Sequence, residues 1–262
     1  MITKIQKNSD VLTFLKSYEF EHLNVLNYLE YAPHAEIFTL NSDVKRGIVV
    51  RMVDDGSESE EYEEEGFFVA SQDAEFLLAF WDSLSAGEKF FSGVPEKATE
   101  IFYSISEALW KSPCFVFVYD ESCKKDIASK AYNSVYADDF LRINDVEIVD
   151  NHYTYQHEGS DDAIREAILT LDSSCVRIDG ELAAWCLVHA EDGTLGPLYT
   201  MEAHRRKGLA EIVTARLVGK LVSSGKMPFM HIVKDNVASL KMIEKLPFKH
   251  SHNVAFFGMK KS

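Results

Sequence analysis

The stretch Leu198-Tyr199-Thr200-Met201-Glu202-Ala203-His204-Arg205-Arg206-Lys207-Gly208-Leu209-Ala210 constrains the chain most. A short apolar strand runs into a basic turn, and a glycine then opens a long amphipathic helical pattern. The first N–H groups of a helix have no intrahelical partner, and the helix dipole favours an anion there. Gly208 has no Cβ, so a bulky anion can approach the backbone closely. The local chemistry is that of a site for pyrophosphate or a similar anion.

The surrounding chain is acidic, with 27 Lys and Arg against 42 Asp and Glu, a net charge of −15. That argues against a general nucleic-acid binder, which needs a basic face, and against attraction to an anionic membrane surface. The basic turn at 205–207 is therefore a local exception. The 262 residues are 46% hydrophobic, enough for one large domain or two ordinary ones. No apolar run approaches the ~20 residues that span a bilayer. Cys114, Cys123, Cys175 and Cys186 form no CxxC pair and no zinc-spaced cluster with His, so no metal site is expected. Reduced thiols and the absence of a recognisable leader set the cytoplasm as the expected location.

Helical spacing opens the chain over 11–32, strands are expected at Ile37–Leu40, Gly47–Val53 and Gly66–Ala70, and helices at Asp73–Leu84 and Pro95–Trp110. Eight acids between Asp54 and Glu65 read as a solvated hairpin tip. Cys114–Tyr119 is a continuous apolar strand of the doubly buried kind. A boundary falls near 145, giving an N-terminal α/β domain over 1–145 and a second domain over 146–262. In the latter, Ser160-Asp161-Asp162 caps a helix through Leu171. Asp179-Gly180 and Asp192-Gly193 turn three antiparallel strands, Cys175–Ile178, Leu182–Ala190 and Leu195–Met201. A helix Gly208–Ser223 ends at Gly225, a strand Met227–Val233 follows, then a helix Asn236–Leu246 and a strand Asn253–Met259. Three antiparallel strands before a β–α–β step make an α/β chain with a mixed, mostly antiparallel sheet flanked by helices.

This order resembles the GNAT superfamily of acyl-CoA N-acyltransferases. The family's Q/R-x-x-G-x-G/A pattern stands here as Arg205-Arg206-Lys207-Gly208-Leu209-Ala210. Four features add to it: the preceding strand Leu198–Met201, Asn236 with Ala238-Ser239-Leu240, the helix end Glu244-Lys245-Leu246-Pro247-Phe248, and the blocks Cys175-Val176-Arg177, Ala184-Trp185 and Leu198-Tyr199-Thr200. The last look like the glycine N-acyltransferase-like branch, over roughly 145–262. The first half looks distantly like that branch's N-terminal domain, a degenerate copy of the same fold.

The resemblance implies an acyl-CoA co-substrate with no metal, and a small amine such as glycine or another amino acid as acceptor, attacked directly. The acyl-CoA contacts it implies are Leu198, Tyr199, Thr200, Met201, Arg205, Arg206, Lys207, Gly208, Leu209, Ala210, Asn236 and Ser239. Pyrophosphate would sit on the amides of Arg206 to Ala210, and pantetheine along Leu198 to Met201. A bulge at the start of that strand would polarise the thioester. Two departures stand out. Ile243 occupies the place of the tyrosine that protonates the leaving thiolate in many members. Thr194 occupies the place of the branch's basic glutamate, which leaves Glu191 and Asp192 as candidate bases and His189 as a third. Acetyl transfer to a polyamine or protein amine, and acyl-CoA binding without catalysis, are the competing readings. A mitochondrial location also occurs in the branch.

Overall fold

The computed structural model describes the chain except residues 19, 53–64, 124–130 and 132–134; the acidic run expected as a hairpin tip, apart from Glu65, lies outside the described residues. The chain divides into two compact units, Met1–Val116 with Ser251–Ser262, and Phe117–His250.

The first unit runs β1 (Ile2–Ile5), α1 (Ser9–Lys16), α2 (Leu23–Tyr31), β2 (Ile37–Leu40), β3 (Ile48–Arg51), β4 (Glu65–Ala70), α3 (Ala74–Ser83), β5 (Gly87–Pro95), α4 (Glu96–Ile105) and the start of β6 (Ala108–Tyr119). Its strands lie in the order β1-β2-β3-β4-β5, followed by β11 (Phe248–Lys261) and β6. Phe67, Phe76, Phe80, Phe91, Phe102 and Phe257 form one buried core, and Val11, Leu15, Val25, Leu29, Ile48 and Phe68 belong to a second. Two expectations are corrected here. The helix expected to reach Trp110 stops at Ile105, because Ser106 is already extended and Ala108 starts β6. The strand β5 has no sequence signal of its own: glycines at 87 and 93 and a terminal proline punctuate it, yet β4 and β11 pair on its two sides.

The second unit holds α5 (Val146–Asp150), α6 (Ser160–Thr170), β7 (Ser174–Ile178), β8 (Glu181–Val188), β9 (Leu195–Thr200), α7 (Leu209–Ser223), β10 (Phe229–Val233) and α8 (Val237–Ile243). Positive φ at Asp179 and Gly180 closes the β7–β8 hairpin, as its sequence demands. The single mixed sheet expected here is instead split. Strands β7-β8-β9 form a three-stranded antiparallel sheet, while β10 pairs beside β6. One face of the small sheet packs Ala184, Cys186 and Val188 against Val213 and Leu217 of α7. The other packs Trp185 and Leu187 with Val149 of α5 and Ile164 of α6. The cap of α6 is Gly159, at φ 84°, and Ser160 turns its hydroxyl to Asp150 instead of capping.

Candidate functional site

Strand β9 is the edge of its sheet, and β10 is the edge of the other. They lie side by side without a ladder between them. The β8–β9 register pairs Ala184 with Thr200, Trp185 with Tyr199 and Cys186 with Leu198. The Met201 N–H donates to the Ala183 carbonyl at 2.9 Å. Antiparallel pairs alternate, so Tyr199 and Met201 direct their backbone groups at β8, while Leu198 and Thr200 direct theirs at the open edge. An exposed row of this kind pairs with any extended amide chain laid along it. The Thr200 hydroxyl is buried with no hydrogen-bond partner, a cost that an incoming polar group would remove.

The register slips between Cys186 and Val188, so that three residues of β8 face four of β9, Leu195 to Leu198. This is a β-bulge at the start of β9. Pro197 sits within it and brings no N–H, as prolines in strands do at bulges.

At the other end of β9 the chain makes a single turn of 3-10 helix, Glu202–His204, and then curls through Arg206 (φ 62°) and Gly208 (φ 76°) into α7. A non-glycine residue in the left-handed region costs on the order of 1–3 kcal/mol. Here that conformation directs successive N–H groups to one side, the geometry of an anion nest. No side chain caps α7. A Cβ added at Gly208 would meet no atom within 4 Å, so the space before the helix start is clear.

The three basic side chains divide the work. Arg205 folds the turn: its Nε donates to the Thr200 carbonyl at 3.1 Å, a terminal nitrogen reaches the Tyr199 hydroxyl at 3.3 Å, and the guanidinium lies 5.5 Å from the Tyr199 ring centre. Arg206 is exposed with no hydrogen bond or ion pair among the described residues. Lys207 meets His204, Nζ to Nδ1 at 3.3 Å, and makes no ion pair among the described residues. Glu211, in the first turn of α7, is paired with Lys245 at 2.7 Å.

Asn236 caps α8, its Oδ1 accepting from the Ser239 N–H at 3.0 Å. Ile243 is buried in the core below α7, leaving no hydroxyl where the resemblance seeks one.

Of the candidate bases, Glu191 is exposed. Asp192 is 8% exposed, and its Oδ1 accepts from the Thr194 N–H at 3.0 Å and the Thr194 hydroxyl at 2.6 Å. The residue that replaces the branch glutamate thus anchors the neighbouring carboxylate. His189 follows the end of β8, its ring centre 6.2 Å from that of Tyr153. Burial lowers its pKa, against the pull of Asp192. His231, on β10, was not singled out from the sequence; a lone His in an apolar strand carries no signal. Burial lowers its pKa too, with Asp192 and His189 as the titratable groups beside it. Tyr153 is pushed up to about 12 by burial, then by the charges of Glu191, Tyr155 and Asp192. Cys175 and Cys186 are core thiols pushed up to about 12 by burial, far from a reactive thiolate. Among the described residues no group of His, Cys, Asp and Glu could hold a metal ion, and no helix is long and apolar enough to cross a membrane.

Comparison with known proteins follows this geometry. A family model described as FR47-like protein matches residues 175–256. No curated protein matches by sequence. A Drosophila protein of solved structure is similar over 98% of both chains, with a TM-score of 0.78 and 15% identity. A tandem GNAT protein from the clavulanic acid biosynthesis pathway is similar over 99% of this chain and 98% of its own, with a TM-score of 0.59 and 13% identity. A GCN5-related N-acetyltransferase from Kribbella flavida covers 90% of this chain and 94% of its own, with a TM-score of 0.59 and 11% identity. The fold is of the tandem GNAT type. One element order occurs twice along the chain: two helices, three antiparallel strands, a helix, a strand, a helix and a final strand, first as α1 to β6 and again as α5 to β11.

Proposed function

We propose that the chain transfers an acyl group from an acyl-CoA to an amine nitrogen, and that the half beginning near residue 146 carries the reaction. The observation that carries this reading is the unpaired seam between β9 and β10, which ends on the bare, left-handed entrance to α7. A long molecule with amides along its middle and a pyrophosphate at one end matches that pair of features. Amides of its pantetheine arm would pair with the outward groups of Leu198 and Thr200. Its phosphates would lie on the N–H groups of Arg206, Lys207, Gly208, Leu209 and Ala210, with the Arg206 and Lys207 side chains alongside. Tyr199, Met201 and Arg205 shape that wall, and Asn236 and Ser239 line the side of β10. The thioester would then fall at the Leu195–Leu198 bulge, where a backbone N–H polarises its carbonyl. A coenzyme thiolate with a pKa near ~8.5 leaves without a strong acid, which suits Ile243.

Glycine or another small amino acid is the leading acceptor, from the Cys175–Trp185 and Leu198–Thr200 blocks. A second reading, a polyamine or a protein amine, is favoured by one observation. Glu191 and Asp192 face Tyr153 near the bulge, and no Lys or Arg occurs in 146–164 or 181–204 to receive an acceptor carboxylate. Acyl-CoA binding without turnover is the third.

The test is thiol release with acetyl, aromatic and long acyl-CoAs against glycine, other amino acids, polyamines and basic peptides. Turnover on glycine supports the leading acceptor; turnover on polyamines or basic peptides alone supports the second. Coenzyme A binding without turnover on any amine leaves only the binding role. No thermal shift with coenzyme A would refute the acyl-CoA reading altogether.

A further inference from the structure

Of the three candidate bases, Glu191, Asp192 and His189, the fold brings the histidine to the bulge. A Cβ placed on Gly196 would lie 2.9 Å from His189 Nε2 and 3.2 Å from its Cδ2. Real Cβ atoms essentially never come that close, so a side chain at 196 would make the imidazole swing aside; with glycine there, the ring rests against β9. The ring therefore lies on the bulge itself, two residues from the outward-facing Leu198. Neither His189 nitrogen has a hydrogen-bond partner among the described residues. The backbone beneath it is held by the His189 N–H to the Thr194 carbonyl at 2.8 Å and the Gly193 N–H to the His189 carbonyl at 3.0 Å. Of the two carboxylates, Asp192 is engaged by the Thr194 N–H and hydroxyl, and Glu191 is exposed.

We infer that His189 is the catalytic base of the acyl transfer, with Nε2 taking the proton from the acceptor ammonium at the Gly196–Leu198 bulge. This rests on the acyl-CoA reading above. The groups that face the imidazole are Tyr153, Asp192 and His231. The ammonium loses one proton to Nε2, which passes it to solvent. The freed nitrogen lone pair then forms the C–N bond to the thioester carbon, and the C–S pair leaves on sulfur. The nitrogen's second surplus proton returns through the imidazole to the thiolate. The products are one amide, one free thiol and one proton released. Burial keeps His189 neutral at pH 7, so it is ready to accept. Glu191 and Asp192 then serve to draw the cationic amine in, and Tyr153 walls the approach.

The experiment measures kcat and KM of His189→Gln on the full chain, with acetyl-CoA and the best amine of the panel, from roughly pH 5.5 to 9. A lost general base lowers kcat about 100-fold or more, with acetyl-CoA KM and coenzyme A thermal shift unchanged. The wild-type kcat/KM has an acidic limb below the ordinary histidine range. In His189→Gln that limb disappears, and the rate follows the free-amine fraction, roughly tenfold per pH unit. Added imidazole restores part of the rate. Gly196→Ala, which pushes the ring off the strand without removing it, lowers kcat in the same way. If His189→Gln fails to bind coenzyme A, Gly196→Ala and the wild-type pH limb decide. Wild-type rates in both variants, or an acidic limb abolished by Asp192→Asn or Glu191→Gln and not by His189→Gln, would overturn the assignment. A wild-type protein that binds no coenzyme A would instead refute the acyl-CoA reading, a separate result.

Discussion

The two units meet the same strand–turn–helix–strand step in opposite ways. In the second, β9 and β10 stay unpaired, and the turn into α7 is bare, left-handed and basic. In the first, the corresponding strands β4 and β5 are joined by a parallel ladder, Glu65 with Lys89 through Phe68 with Ser92. The turn Ser71-Gln72-Asp73 places its own anion at the start of α3. The Asp73 carboxylate accepts from the Phe76 N–H at 2.9 Å and binds Arg46 through Nε at 2.7 Å and a terminal nitrogen at 2.9 Å. Arg46 holds the Asp73 carboxyl below the usual range. The same topology thus makes a cleft where backbone groups are left unsatisfied, and a plain structural joint where ladder and cap satisfy them. The difference teaches that the element order alone does not decide whether the cleft stays open.

The comparison can be broken most directly at Gly208. Gly208→Glu puts a carboxylate where the phosphates would lie and forces a side chain into φ 76°; affinity for coenzyme A falls by about a thousandfold or more, because like charges in contact cost several kcal/mol. Isothermal calorimetry on the wild type also gives one coenzyme A per chain, and two would show that the first unit retains a cleft.

Next in size is an acid effect confined to the first unit. His22 is 3% exposed, stacked at 6.1 Å on Phe14, and burial, with His252 nearby, lowers its pKa to about 4. The unfolded chain binds a proton at His22 that the native state refuses. Stability therefore falls as pH drops from about 6.5 to about 4, by up to ~3 kcal/mol. Chemical denaturation of the wild type and His22→Phe at pH 7 and pH 5 measures it; an equal loss in both would remove His22 as the cause. Asp73→Ala removes the built-in anion and leaves Arg46 with Glu75. We expect ~1–2 kcal/mol of destabilisation with coenzyme A affinity unchanged, read by denaturant melts and calorimetry. Arg206→Ala, at an exposed guanidinium, lowers that affinity by about fivefold without changing stability; a fivefold loss from Arg205→Ala is accompanied by lower stability, since Arg205 also ties down Thr200.

Much of the second unit was legible because its signals are local. The Asp179-Gly180 turn, the Gly225 stop and the Arg205–Ala210 turn each carry their conformation within a few residues. Its failures were matters of partnership. Nothing near Ser160 shows that its hydroxyl prefers Asp150, ten residues away. In the first unit, β5 hides among its glycines and proline until β4 and β11 pair with it. The Asp73–Arg46 pair joins residues 27 apart in the chain.

Periodicity, turn residues and a glycine among cations were enough to establish the α/β class, the antiparallel strands β7 to β9 and the helix that follows them. Those properties depend on φ, ψ and charge within one turn of chain. Which strand pairs close and which stay open, and which residue comes to rest on the β9 bulge, were settled by the tertiary structure. Ladder hydrogen bonds and the approach of His189 to Gly196 depend on which segments meet in space, and short-range preference carries no record of that.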